Sequence, residues 1–146
     1  MRYIISLMNY WLFKSEPSVW SWDMQVAAGS KGTRWDGVRN HVAKQNLKAM
    51  HVGDLGFFYH SNEGKDIVGI AEITREHYPD PSAATGEPWV VVDIKAKGPL
   101  PKPVSLAAIK AEPKLAKMSL VTSARLSVQP VTAAEWKIIC RMGGLA

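Results

Sequence analysis

Residues 35–40 bring together, over six positions, a large aromatic surface, a flexible glycine, a guanidinium group and a side-chain amide. A nucleobase that has left its stack presents a π-face and a Watson–Crick edge, which proteins bind by aromatic stacking and hydrogen bonds. Trp35 can supply the stacking surface and Asn40 the hydrogen bonds. Arg39 and the nearby Arg34 can hold phosphate, because the planar guanidinium group matches the phosphate oxygens. These residue types suit a base and its phosphate.

The same residues also have a structural interpretation, which the segment alone leaves open. Asn40 directly precedes a helical pattern, where an asparagine often serves only as the N-cap. A tryptophan such as Trp35 more often belongs to a hydrophobic core than to a ligand site. Short motifs are weak indicators, so the rest of the chain has to decide.

The chain is basic, with a formal net charge of +5 and a pI near 9.4. Residues 31–48 contain five basic side chains against Asp36, and residues 95–117 contain six lysines against Glu112. This excess favours a polyanionic partner. A solvated surface is the alternative, and it is the commoner explanation of a charge run.

The composition is that of one globular domain, with 146 residues of which 47% are hydrophobic and 21% charged. Cys140 is the single cysteine and cannot form an internal disulfide, which indicates a reducing compartment. No apolar run approaches the roughly 18 residues of a membrane span. We therefore expect a cytoplasmic protein without membrane contact. The histidines show no metal-ligand spacing, so we predict neither a metal nor another cofactor.

Alternating apolar residues predict the strands that must position the polar groups. They run over residues 10–14, 55–61, 67–75, 90–95 and 125–129. Because the regular pattern begins at Asn9, residues 1–8 are predicted to be an N-terminal extension and residues 9–146 a single domain. A proline-rich segment at residues 98–103 is expected to be an extended connector.

Capping residues and helical spacing predict short helices between these strands. They begin after Ser18 or Ser21, after Asn40, after Ser105 and after Thr132. The order of elements is neither a strict βαβ alternation nor an all-α pattern. It predicts a small α+β domain with a mostly antiparallel, barrel-like sheet.

Several candidate binding residues fall at predicted strand ends, where loops commonly carry function. The first strand ends at Lys14, Ser15 and Glu16. A second group, Tyr59, His60 and Ser61, ends the next strand, and Trp89 precedes the strand at residues 90–95. An ordinary, partly buried histidine explains His60 equally well.

The chain resembles the EVE domain family of the PUA-like superfamily over most of its length. The matching segments are residues 9–17, 35–40, 53–54, 58–61, 68–70 and 125–130. The resemblance implies a PUA-like α+β fold, a mostly antiparallel β-barrel flanked by short helices. It also implies a domain that binds modified bases and is related to the YTH readers of N6-methyladenine.

The resemblance further implies a ligand pocket with Trp35 as one aromatic wall and Trp89 as a second. Its remaining members would be Lys14, Ser15, Glu16, Gly37, Val38, Arg39, Asn40, Tyr59, His60, Ser61, Arg125, Leu126 and Ser127. Glu16 stands where YTH readers place an amide beside the base. A carboxylate accepts a hydrogen bond from the exocyclic amino group of cytosine or adenine, so Glu16 leaves the base undecided.

The leading interpretation is a non-enzymatic module that binds nucleic acid, DNA or RNA, and has no obligate protein partner. It would recognise a flipped base such as 5-methylcytosine, 5-hydroxymethylcytosine or N6-methyladenine. An enzyme with Glu16 and His60 as an acid–base pair is one alternative, although the sequence shows no nucleophile motif, metal spacing or phosphate-binding glycine loop. A pocket for a small molecule or a protein is another.

Overall fold

The computed structural model describes residues 8–145. The predicted N-terminal extension, residues 1–8, lies outside the described residues except for Met8, which is 46% exposed. The division into an extension and one domain therefore stays a prediction. No helix in the described part of the chain is long and apolar enough to cross a bilayer.

Six strands and five α-helices make up the described part of the chain. The strands are β1 (Tyr10–Ser15), β2 (Thr33–Arg34), β3 (Leu55–His60), β4 (Asp66–Pro79), β5 (Val90–Ser105) and β6 (Val128–Val131). The helices are α1 (Trp22–Ala27), α2 (His41–Ala49), α3 (Leu106–Ala111), α4 (Ser119–Thr122) and α5 (Ala133–Met142). Single 3-10 turns occur at Gly29–Lys31 and Pro113–Leu115.

All six strands belong to one sheet, in the order β2-β5-β4-β3-β1-β6. The pairing of β1 with β3 is parallel, and the other pairings are antiparallel. Over residues 8–145, β2 and β6 lie at opposite edges and do not pair with each other. The predicted α+β class is confirmed, but the predicted barrel is wrong because the sheet is open.

The open sheet has a physical reason in the helices that cover both of its faces. Helices α1 and α2 pack on the front face, and α3, α4 and α5 pack on the back face. A small barrel fills its interior with the side chains of its own strands. Here the helices bury both faces, and the edge strands are only two and four residues long.

Strand β1 shows how one sheet serves two cores, because alternate side chains point to opposite faces. Trp11 and Phe13 belong to the front core, together with Phe58 of β3. Leu12 belongs to the back core, together with Phe57 of the same neighbouring strand. The helices complete these cores with their buried side chains, which number one or two in each helix.

The predicted helix starts are confirmed by side-chain caps. The hydroxyl groups of Ser21, Ser105 and Thr132 and the amide oxygen of Asn40 each accept a hydrogen bond from a first-turn backbone N–H. Thr132 also forms the expected reciprocal capping box with Glu135. Capping residues and apolar spacing were therefore sufficient to predict where these helices begin.

Two predicted boundaries are wrong. Residues 98–103 are not a connector but part of β5, where Gly98 pairs with Ile70 and Pro99 with Gly69 of β4. Proline is tolerated in this strand because the β4–β5 register shifts at several positions, and bulges relieve the need for a ladder N–H. The last strand begins only at Val128, so residues 125–127 form the turn before it.

Candidate functional site

An open cleft of about 800 Å³ lies at the carboxyl end of β1. Ligand pockets commonly have volumes of about 300–1,000 Å³, so the cleft is large enough for a small organic group. Residues 14–16, 19–20 and 33–39 line it, together with Ser127. Three parts of the chain therefore meet at this end of the sheet: residues 14–20, residues 33–39 and the turn before β6.

The end of β1 supplies the polar floor of the cleft. The backbone N–H of Lys14 donates to the Ser127 carbonyl at 2.9 Å, which joins the end of β1 to the turn before β6. The Lys14 ammonium donates to the carbonyl of Ala124. Burial lowers the pKa of Lys14, since a desolvated ammonium is less stable. Glu16 beyond it is exposed.

Trp35 forms the first aromatic wall and is part of the front core at the same time. It is only 7% exposed, and its backbone N–H donates to the Val92 carbonyl at 2.8 Å. Its ring meets Phe13 at a tilt of 58° and Phe58 edge-on at 86°. Neither of these two aromatic neighbours stacks parallel to it. Both interpretations of Trp35, core residue and pocket wall, therefore apply.

Trp20 forms a second aromatic wall that the sequence analysis missed. Its indole N–H donates to Oε1 of Gln25 at 2.8 Å, and Thr33 Oγ1 donates to the same oxygen at 3.2 Å. Gln25 is fully buried, so it fixes the half-buried indole at the rim of the cleft. Ser15 Oγ also donates to the Trp20 carbonyl at 2.5 Å. The feature of the sequence that could have identified Trp20 is its position in the loop that follows β1.

The carboxylate of Asp80 holds the segment at residues 36–39 in place. One oxygen of Asp80 accepts from the Gly37 N–H and from Arg39, each at 3.0 Å. The other accepts from the Ser82 N–H at 2.7 Å and the Ser82 hydroxyl at 2.6 Å. Burial disfavours the charged form, but these hydrogen bonds outweigh it and hold the Asp80 pKa at about 2.

The turn that Asp80 anchors needs a glycine. Gly37 has a φ of +80°, a left-handed conformation that a residue with a Cβ atom adopts only with strain. The turn directs Val38 into the front core and leaves Arg39 half in solvent, with 37% of its side chain exposed. Asp80 was not among the predicted site residues, and no local motif marks it.

Both arginines beside the cleft already have carboxylate partners. Arg39 pairs with Asp80, whose side chain is completely buried. Arg34 pairs with Asp36 at 3.4 Å, and about half of each of these two side chains is exposed. A phosphate that approached either guanidinium would compete with a carboxylate. Exposed pairs such as Arg34–Asp36 are weak, so that arginine is the more available of the two.

Residues 9–142 match the family model of the EVE domain. The chain belongs to the EVE domain family. The resemblance predicted from the sequence is thereby confirmed. The rat (Rattus norvegicus) thymocyte nuclear protein 1 is 36% identical to it over 165 residues, which cover 92% of this chain and 73% of that protein.

Several solved structures have the same fold as this chain. A protein from Agrobacterium tumefaciens is 59% identical, with a TM-score of 0.93 over 94% of each chain. Human THYN1 in complex with DNA that contains 5-methylcytosine is 32% identical, with a TM-score of 0.86 over 94% of this chain and 99% of that one. The YTH domain of Zygosaccharomyces rouxii MRB1, in complex with N6-methyladenosine RNA, shares only the fold: 16% identity and a TM-score of 0.58 over 98% and 91%.

In this EVE domain the cleft unites about half of the predicted site residues. Those that line it are Lys14, Ser15, Glu16, Trp35, Gly37, Val38, Arg39 and Ser127. Those that do not line it are Asn40, Tyr59, His60, Ser61, Trp89, Arg125 and Leu126. The roles of the first group stay predictions, and the second group has other positions that the structure explains.

Asn40 and His60 both serve helix starts. The Asn40 amide oxygen accepts from the Ala43 N–H at 2.9 Å, as expected of an N-cap. His60 Nε2 accepts from the Trp22 N–H at 3.0 Å, at the start of α1. The histidine that was a candidate acid–base partner of Glu16 is therefore engaged with the backbone outside the cleft.

The remaining predicted residues do not line the cleft. Tyr59 is buried in the back core, since it alternates with Phe58 along β3. The Ser61 N–H donates to the Ser15 carbonyl at 2.9 Å and supports the cleft floor through the backbone. Arg125 is exposed in the turn before β6, and Leu126 packs against the front core.

Proposed function

We propose that this EVE domain is a non-catalytic module that holds a modified nucleobase of DNA or RNA in the cleft between Trp20 and Trp35. The observation that carries the proposal is the meeting of two indole rings with hydrogen-bonding groups at one strand end. An extruded base needs both, a stacking surface for its face and polar groups for its edge. A family member with the same fold, human THYN1, is in complex with 5-methylcytosine DNA.

The polar groups favour cytosine as the base class. The Glu16 carboxylate can accept a hydrogen bond from the exocyclic amino group, and the Lys14 ammonium can donate to a ring carbonyl. Val38 lines the cleft as an apolar residue that suits a methyl substituent. One methyl group in an apolar pocket gives about 10–200-fold discrimination, so we expect 5-methylcytosine to be preferred by a modest factor.

The same geometry supports binding over catalysis. Glu16 lines the cleft, whereas His60 lies outside it and accepts a backbone hydrogen bond. The two residues therefore do not face one substrate as an acid–base pair must. Burial lowers the pKa of Lys14 in the cleft, but its ammonium is engaged by the Ala124 carbonyl.

The experiment compares two tryptophans that are equally buried, Trp35 and Trp136, each 7% exposed. Trp35 lines the cleft, and Trp136 lies in the back core. The unaltered protein, Trp35→Phe and Trp136→Phe are each titrated into single-stranded and duplex oligonucleotides. These oligonucleotides carry either cytosine or 5-methylcytosine at one position. Oligonucleotides with 5-hydroxymethylcytosine or N6-methyladenine complete the series, at two salt concentrations.

We expect the unaltered protein to bind one modified base more tightly than its unmodified counterpart, by about tenfold or more. Trp35→Phe should weaken that binding about fivefold, because the smaller phenyl ring keeps only part of a stacking contribution of about 1–3 kcal/mol. Trp136→Phe should leave the Kd within about twofold. Equal, weak and strongly salt-dependent binding of every oligonucleotide would contradict the proposal and indicate generic affinity for phosphate. Equal losses in the two variants would contradict the stacking role of Trp35.

A further inference from the structure

Trp89 lies outside the cleft, immediately before β5, and borders the amino end of α2. The imidazole of His41 lies 4.9 Å from its ring at an interplanar angle of 34°. Trp89 is half-buried, so part of the indole faces solvent. Because Trp89 is only half-buried and belongs neither to the cleft nor to the two cores, part of its surface is free to contact another group.

Two cationic side chains also approach the Trp89 ring. The Arg39 guanidinium carbon lies 5.7 Å from the ring centroid, and the Lys44 ammonium lies 5.9 Å from it. Lys44 has no carboxylate within ion-pair distance among the described residues. Its charge is therefore not neutralised locally, in contrast to that of Arg39.

Arg39 connects this surface to the cleft, because it lines the cleft and also approaches Trp89. An aromatic surface beside cations is the usual means by which proteins bind single-stranded nucleic acid. A strand that placed one base in the cleft and its neighbour on Trp89 would pass near Arg39.

We propose that Trp89, His41, Arg39 and Lys44 form a second subsite, which binds the nucleotide next to the base held in the cleft. The flanking base stacks on the exposed part of Trp89, and the phosphate between the two nucleotides contacts Lys44, next to Arg39, which stays paired with Asp80. This inference rests on the proposed function, and it makes the flanking nucleotide part of the ligand.

The first test is a cycle between Trp89 and the flanking base. Single-stranded oligonucleotides carry 5-methylcytosine with both neighbouring bases intact, or with the 5′ or the 3′ neighbour replaced by an abasic site. Removal of one neighbour should weaken binding to the unaltered protein about tenfold. The same removal should have almost no effect on Trp89→Ala, and Trp89→Phe should restore most of the sensitivity.

The cycle separates the subsite from a purely structural role of Trp89. If the losses from Trp89→Ala and from the abasic site multiply independently, the two groups do not interact and the inference is wrong. If an abasic neighbour leaves binding to the unaltered protein unchanged, the inference is also wrong. The proposed function fails by a different result, namely equal binding of cytosine and 5-methylcytosine in the intact oligonucleotide.

The second test uses two lysines of α2 that lie one helical turn apart. Lys44→Gln and Lys48→Gln remove the same charge, but only Lys44 approaches Trp89. We expect Lys44→Gln to weaken oligonucleotide binding several-fold and to reduce the slope of log K against log salt by about one. Lys48→Gln should change neither by more than half as much. Equal effects of the two variants would assign the loss to overall charge and contradict the phosphate contact.

Discussion

Trp35 and Trp136 are the same residue type with the same exposure of 7%, on opposite faces of one sheet. Trp136 stacks on Phe57 at 3.9 Å and on Tyr10 at 4.4 Å, both nearly parallel to it. The two aromatic neighbours of Trp35 meet it tilted or edge-on. The back face uses its parallel stacking within the fold, whereas the front face leaves Trp35 without a parallel aromatic partner. The two tryptophans are therefore equally buried, but only Trp136 has its ring stacked in parallel on other aromatic rings of the fold.

The two faces also differ in how their side chains are held. On the back face, α5 covers an apolar cluster that includes Trp136. At the cleft, buried polar side chains do the positioning, since Gln25 holds Trp20 and Asp80 holds the turn at Gly37. Fully satisfied polar groups of low exposure fix geometry more specifically than apolar contacts do. The cleft needs that specificity because a bound base must meet both its walls and its floor.

The comparison is most strongly tested by Trp136→Ala. Removal of a buried tryptophan costs about 3–5 kcal/mol, and here two parallel stacking partners are lost as well. We expect the free energy of unfolding, measured by urea denaturation, to fall by that amount. The Kd of the folded fraction for an oligonucleotide should stay unchanged. A stability loss below about 1 kcal/mol would show that the back core does not depend on this stack.

Asp80→Asn tests whether a buried carboxylate holds the turn at Gly37 in place. At pH 7 the variant should lose about 2 kcal/mol of stability, because hydrogen bonds to a charged group contribute about 1.5–3 kcal/mol. The folded pKa of Asp80, about 2, lies below the ordinary value of 3.8, so the unfolded chain binds the proton more readily. Its stabilisation is therefore complete above about pH 4 and is lost as the pH falls through about 2.

The measurement for Asp80 is the difference in unfolding free energy between the two proteins as a function of pH. We expect a constant difference from pH 7 to about pH 4 and a decreasing one below it. Oligonucleotide binding by Asp80→Asn should also weaken at pH 7, since the turn at Gly37 loses its anchor. A difference in stability that does not change down to pH 2 would show that the carboxylate charge does not hold this turn.

Local patterns in the sequence were sufficient for the elements and for part of the site. Caps at Asn40 and Thr132 and the alternation in β1 follow from short-range rules, and the strand end at Lys14 did border a cleft. The rest depends on distant partners. Asp80 contacts Gly37 across 43 positions, and no residue spacing near either one encodes that contact.

Tertiary contacts also overrode local signals at two other places in the chain. The prolines at residues 98–103 read as a connector, but a bulged register allowed β5 to continue through them. Trp89 precedes a strand and is predicted as a second pocket wall, but the fold places it outside the cleft, beside His41 and α2, and its role in binding stays a prediction. The open sheet likewise depends on which faces the helices cover, and a list of elements does not contain that information.

The smallest effect should come from Gln25, which acts through Trp20. Trp20→Ala should weaken oligonucleotide binding about tenfold, by loss of one stacking wall. Gln25→Leu leaves the indole in place but removes its hydrogen bond, so we expect a loss of about threefold and about 1 kcal/mol of stability. In the double variant Gln25→Leu should add nothing to Trp20→Ala, because the two residues act as one unit. If the losses of binding from the two single variants instead multiply in the double variant, Gln25 supports the cleft through Thr33 or the backbone of β5. Packing would then hold Trp20 on the front face, as it holds Trp136 on the back face.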